Sequence, residues 1–230
     1  MSVIELNKVT KNFTVGANEV NILKETSLKI DEGNFVAIVG PSGSGKSTLL
    51  TIMGALQSPT SGSIAINEKD VSNLSKTELS NVRFNDIGFV LQASNLVPYL
   101  TLREQFELKY KYKKEKYDKE RVQQVMDKLS ITHLADKYPD DISGGERQRA
   151  AIGLALVLSP KIILADEPTA SLDTEKAYEV VEVFQKISHE SNTTIIMVTH
   201  DTRMLSYCDR ILEMNDGILN EVALDDMKGH

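Results

Sequence analysis

The stretch FVAIVGPSGSGKS, residues 35–47, decides the fold. Phe35 to Val39 is an unbroken apolar run, as expected of a strand buried on both faces of a parallel sheet. Gly40 to Ser47 then matches G-x-x-x-x-G-K-[ST], and a helix is expected from Lys46 to about Leu56. The physics of such a loop is direct. Glycines let successive backbone N–H groups curl around phosphate oxygens, and a helix N-terminus adds positive potential there. Gly40, Pro41, Ser42, Gly43, Ser44 and Gly45 form the cradle. Lys46 would reach the β- and γ-phosphates, the Ser47 hydroxyl would hold Mg²⁺, and Thr48 would stand near the α-phosphate.

The elements around this loop are of two kinds. Residues 3–8 and 20–30 carry short alternating patterns and predict antiparallel strands, with a turn at Asp31-Glu32-Gly33. The turn-rich QSPTSGS, residues 57–63, leads to a short strand at Ile64 to Ile66, and Ile87 to Leu91 is again strand-like. From about residue 93 to 159 the periodicity becomes helical, over Thr101 to Tyr112, Asp118 to Leu129 and Glu146 to Leu158. Strand and helix then alternate: Ile162 to Ala165, Glu175 to Glu190, Thr194 to Val198, and a final strand at Arg210 to Met214. Such alternation predicts a parallel sheet. The expected fold is α/β, with a phosphate-loop core, an N-terminal antiparallel β layer and an inserted helical subdomain.

A second chemical signal lies at IILADE, residues 162–167. An apolar strand delivers Asp166 and then Glu167 at its carboxyl end, where open α/β sheets bind ligands. Asp166 would hold Mg²⁺, largely through water. Glu167 could take a proton from an attacking water as general base.

Composition narrows the partners. The 230 residues carry a net charge of −7, which argues against a nucleic-acid partner, since a broad phosphate-binding surface makes a chain basic. The single cysteine, Cys208, forms no intrachain disulfide and fits a reducing compartment. The N-terminal residues do not resemble a secretory signal, and no apolar run approaches the roughly 20 residues needed to span a bilayer. The chain is therefore expected to be soluble and to meet any membrane through a partner. The run KYKYKKEKY, residues 109–117, reads as a solvated face, with a membrane partner or acidic lipid headgroups as the alternative.

DISGGERQR, residues 141–149, taken with the phosphate loop and IILADE, resembles the ABC ATPase family, whose signature is usually LSGGQ followed by a basic helix. Ile142 stands for the usual Leu and Glu146 for the usual Gln. Ser143 with the N–H groups of Gly144 and Gly145 makes an anion-binding helix start. An acid at Glu146 is mildly unfavourable near phosphate, but favoured in the first turn of a helix. The resemblance covers residues 1 to about 220 as one domain, with the helical subdomain at about 93–159 and a tail at 221–230. It implies further roles: Gln92 as the Q-loop glutamine linking Mg²⁺ and water to the helical subdomain, Asp173 of Ser171-Leu172-Asp173 in the D-loop, and His200 as the switch histidine on the γ-phosphate. It also implies Phe13 as the ring stacked on adenine, with plain core as the alternative for that residue.

In this family the signature of one subunit faces the phosphate loop of another, so the resemblance implies a homodimer closing on two ATP molecules. It also implies a cytoplasmic ATPase, peripheral on the inner face of the membrane through an integral-membrane permease. ILADEPTASLD and GFVLQASNLVPYL, residues 88–100, are similar to the MacB/LolD/FtsE-like branch, which pairs with FtsX-type permeases. Within it, NLVPYL resembles the haem-efflux (Hrt-type) ATPases. Export of haem, drug, peptide or lipid-linked substrate is the expected role. The alternative is an FtsE-like ATPase that regulates a membrane partner without transport. Only 96 residues separate Lys46 from Ser143, too few for the coiled coil of a repair ATPase, and the single cassette does not fit the translation type.

Overall fold

The computed structural model describes residues 1–16 and 18–229; of the expected tail at 221–230, residue 230 lies outside the described residues. Strands β1 (Ser2–Val15) and β2 (Asn18–Asp31) form a long antiparallel hairpin. With β4 (Ser61–Ile66) and β5 (Lys69–Asp70) they make a four-stranded sheet in the order β2-β1-β4-β5. Between β2 and β4 come β3 (Phe35–Val39) and helix α1 (Lys46–Met53). The second sheet runs β10-β9-β3-β8-β7-β6. Its strands are β6 (Ile87–Val90), β7 (Ile162–Asp166), β8 (Thr194–Val198), β9 (Arg210–Asn215) and β10 (Ile218–Val222). Every neighbouring pair from β9 to β6 is parallel, and only β10 is antiparallel.

The continuous apolar runs are explained by two cores, one on each face of the parallel sheet. Alternate residues of a strand point to opposite faces. Val36 and Ile38, Ile162 and Leu164, and Ile196 and Val198 pack toward the antiparallel sheet and α1, with Ile4, Leu6, Leu23, Ile30, Leu49 and Ile52. Phe35, Ile163 and Ala165, and Ile195 and Met197 pack toward the other helices. These are α3 (Leu102–Lys113), α4 (Lys119–Lys128), α5 (Gly144–Leu156) and α6 (Thr174–Ser191). There Phe35 meets Phe184 edge to face at 6.2 Å between centroids. Since neither face meets water, neither strand face can be polar.

Two elements depart from the sequence expectations. Helix α2 (Lys76–Asp86) has no counterpart among the sequence expectations; Val82 is its one buried side chain, so it has no apolar stripe. Its signal was the capping box Ser75-Lys76-Thr77-Glu78, in which Ser75 N–H donates to Glu78 at 2.9 Å. The strand over Arg210 to Met214 is not the last one, because β10 follows through a turn in which Asp216 and Gly217 take φ of 46° and 76°. Asp216-Gly217, between the paired Asn215 and Ile218, is the dipeptide such a turn demands. Among the described residues no helix is long and apolar enough to cross a membrane.

Candidate nucleotide site

Strand order brings the chemistry together. β3, β8 and β7 are adjacent in the sheet. Their carboxyl ends deliver the phosphate loop, Thr199-His200 and Asp166-Glu167 to one edge, where ligands of open α/β sheets bind. Gly40, Gly43 and Gly45 have φ of 140°, 79° and 108°. At Gly40 the need for glycine is absolute, since a Cβ there would lie 2.0 Å from the Met214 carbonyl oxygen. Lys46 is buried, and its ammonium donates to the carbonyls of Gly40 at 2.8 Å and Pro41 at 2.7 Å. An ammonium has three N–H donors, so one remains for a ligand. The Ser44 hydroxyl is buried with no protein partner.

The Ser47 hydroxyl donates to Asp166 Oδ1 at 3.3 Å. Burial raises the Asp166 carboxyl above its usual range; the Ser47 hydrogen bond opposes this, Glu167 adds to it, and Lys46 opposes it. A divalent cation would reverse that balance. Ser47 and Asp166 offer oxygen ligands of the kind a hard cation takes when it keeps its waters and binds phosphates. Glu167 sits at φ 46°, with its N–H donating to the Val198 carbonyl at 2.9 Å. This left-handed turn, uncommon for a side chain with a Cβ, takes the chain off the strand. Glu167 Oε2 then lies 3.1 Å from His200 Nδ1.

Lys46, Ser47, Thr48 and Glu167 line one cavity of about 670 Å³ with Ser42, Gly43 and Gly45. Its opposite wall is the β1–β2 hairpin, through Phe13, Thr14, Val20 and Ile22. Phe13 is 37% exposed, so its ring is not part of the core, and Lys11 lies 5.1 Å from its centroid. Thr14, Val20 and Ile22 carry no motif and escape a reading by pattern. The missed strand β10 also matters here: Gly217 N–H donates to the Ser44 carbonyl at 3.2 Å, and its own carbonyl accepts from Lys24 at 2.9 Å. The terminal hairpin thus braces the phosphate loop against β2.

The remaining candidate residues gather elsewhere. Gln92 lines a second cavity, of about 560 Å³, with Gly144, Arg147, Gln148 and Ser171. Ser143 caps α5, and Glu146 folds back so that its carboxylate accepts from the Ser143 N–H at 2.7 Å. Hydrogen bonds from Ser143 hold the Glu146 carboxyl below its usual range. The acid therefore points back along its own helix start. Asp173 caps α6 and pairs with Lys176 at 2.6 Å. A Cβ at Gly145 would come within 2.9 Å of the Lys176 side chain, so the two helix starts pack closely there and a larger residue would push that lysine aside. Within one chain the signature and the phosphate loop line different cavities.

The ABC transporter family profile matches residues 23–170. The chain is 42% identical over 216 residues to the putative hemin import ATP-binding protein HrtA of Staphylococcus haemolyticus, covering 93% of this chain and 97% of that one. It is 37% identical over 216 residues to the macrolide export ATP-binding/permease protein MacB of Bdellovibrio bacteriovorus, covering 94% of this chain and 33% of MacB. Among solved structures it matches the dimeric post-hydrolysis state of the ATP-binding cassette MJ0796 bound to ADP and Pi. That likeness has a TM-score of 0.87 at 37% identity and covers 96% of this chain and 98% of the other. The MJ0796 protein of Methanocaldococcus jannaschii is described as an uncharacterized ABC transporter ATP-binding protein.

Proposed function

Because this chain belongs to the ABC transporter family as an ATP-hydrolysing cassette, we propose that it drives a bacterial exporter through an FtsX/MacB-type permease. It would work as a homodimer on the cytoplasmic face of the membrane. One observation carries the reading: the phosphate loop, Asp166, Glu167 and His200 converge at the ends of three adjacent strands. Lys46 and the loop N–H groups bind the phosphates of ATP. Phe13 receives the adenine on its exposed face. Glu167 accepts the proton of the attacking water, and His200, 3.1 Å from it, holds the γ-phosphate. Ser47 and Asp166, which already pair, would hold Mg²⁺, which supplies charge neutralisation on the phosphates; Gln92 lines the other cavity and would join them only on closure.

Each site is completed by a second copy, whose Ser143, Gly144 and Gly145, with Glu146 and Asp173 beside them, close over the nucleotide. The dimeric MJ0796 cassette supports this arrangement. Closure moves the helical layer, and the groove at its boundary with the α/β core is where a permease would feel that motion. This groove, about 280 Å³, is lined by Phe84, Gln105, Leu108, Lys109, Tyr112 and Leu154. Burial pushes the Lys109 ammonium below its usual range. An acidic group on the permease would reverse that. The export direction follows MacB, named for macrolide export; hemin, named for HrtA as an imported compound, is the other candidate cargo.

The test is a pull-down of tagged Glu167→Gln protein from native membranes with ATP, with co-purified proteins identified by mass spectrometry. An FtsX-type permease is expected. Recovery of soluble or ribosomal proteins alone would leave the ATPase standing and overturn the transporter assignment.

A further inference from the structure

The helical layer carries a basic lobe that the nucleotide chemistry does not use. From Lys109 to Lys119 there are six lysines against two carboxylates, Glu115 and Asp118, in a chain of net charge −7. The lobe is a defined turn. Lys114 ends α3 in a left-handed conformation, φ 57°. Glu115 N–H donates to the Tyr110 carbonyl at 3.1 Å. Tyr117 comes back to meet Tyr110 edge to face, with centroids 5.5 Å apart. Lys113 pairs with Glu115 at 3.1 Å. Lys111, Lys114, Lys116 and Lys119 are exposed, and among the described residues none of the four forms an ion pair. Tyr112, 75% exposed, joins the lobe to the groove that Lys109 and Leu154 line.

Like charges held together on one turn repel each other, and a dense negative surface offsets that repulsion. We propose that this lobe contacts the anionic headgroups of a lipid bilayer beside the docked permease. A flat array of phosphates suits a single compact lobe, because the carboxylates outside it, unlike Glu115, Asp118 and the adjoining Glu120, can stay beyond the screening length of about 8 Å. Tyr112 is of the amphipathic type that settles at headgroup level. A nucleic acid would instead ask for a long basic track with several stacking rings, and this lobe offers one exposed ring, Tyr112, in an acidic molecule. The inference rests on the membrane-partner reading. Four lysines give a modest hold alone, which becomes effective once the permease keeps the chain at the bilayer.

The experiment is co-sedimentation of the whole chain at an ionic strength of about 0.15 M, where the screening length invoked above holds, with phosphatidylcholine vesicles, with and without added phosphatidylglycerol, and no permease present. The chain is expected to pellet with the anionic vesicles and to stay in solution with the zwitterionic ones. Each lysine is worth roughly fivefold in partition, so the variant carrying Lys111→Gln, Lys114→Gln, Lys116→Gln and Lys119→Gln is expected to remain in the supernatant. Its ATPase rate should match the parent's, so that failure here would leave the ATPase and permease readings intact. Equal pelleting of variant and parent, no pelleting of the parent, or retention of RNA without vesicle binding would each overturn the proposal.

Discussion

At the residue scale, function concentrates in a few side chains whose neighbours determine what they do. Lys46 is the cation of the nucleotide cavity, and its burial against the Gly40 and Pro41 carbonyls positions it before any ligand arrives. Lys46→Ala is expected to lower ATP hydrolysis at least about a hundredfold, the scale of losing a pre-placed charge on a transferring phosphoryl group. Phosphate release under saturating Mg-ATP measures it, and a rate within a few-fold of the parent would sink the assignment. Lys46, Ser47 and Asp166 are legible in the sequence because their chemistry is tied to a local pattern. The left-handed φ of Glu167 is not, since it depends on a hydrogen bond to Val198, a residue of a different strand. The inward fold of Glu146 onto Ser143 was half legible: the capping spacing is there, but the same acid could also have faced phosphate.

At the element scale, apolar periodicity finds whatever packs against the core and misses whatever does not. Helix α2 contributes little to the core, and its Arg83 guanidinium donates instead to the Ala55 carbonyl at 2.6 Å. Its start depends on the reciprocal bonds between Ser75 and Glu78. Ser75→Ala should therefore cost about 1 kcal/mol of stability, read as a shift in the urea midpoint at unchanged slope. An unchanged midpoint would mean that α2 is held by its tertiary contacts and not by its cap. Strand β10 escaped for a related reason. Ile218 is 46% exposed at the sheet edge, so the strand lacks the buried run that marks β3, β7 and β8.

At the scale of the whole molecule, the decisive fact is a separation. The phosphate loop and Glu167 line one cavity, while Gly144 of the signature lines another with Gln92. In the composite site proposed above, a second copy related by a two-fold axis joins each half to its complement. Glu167→Gln should bind ATP, hydrolyse it poorly and accumulate as a dimer. Light scattering with saturating Mg-ATP reads this directly, and a monomer there would count against the composite site.

By itself the sequence determined the α/β class, the phosphate loop and the acidic strand end, because each is written in contiguous residues whose spacing carries its own physics. The tertiary structure alone decided that β8 lies between β3 and β7, and so that His200 reaches Glu167. It also decided that the β1–β2 hairpin walls the nucleotide cavity and that Gly217 braces Ser44. Those are contacts between residues far apart in the chain, set by how two apolar sheet faces are buried at once, and no local pattern encodes them.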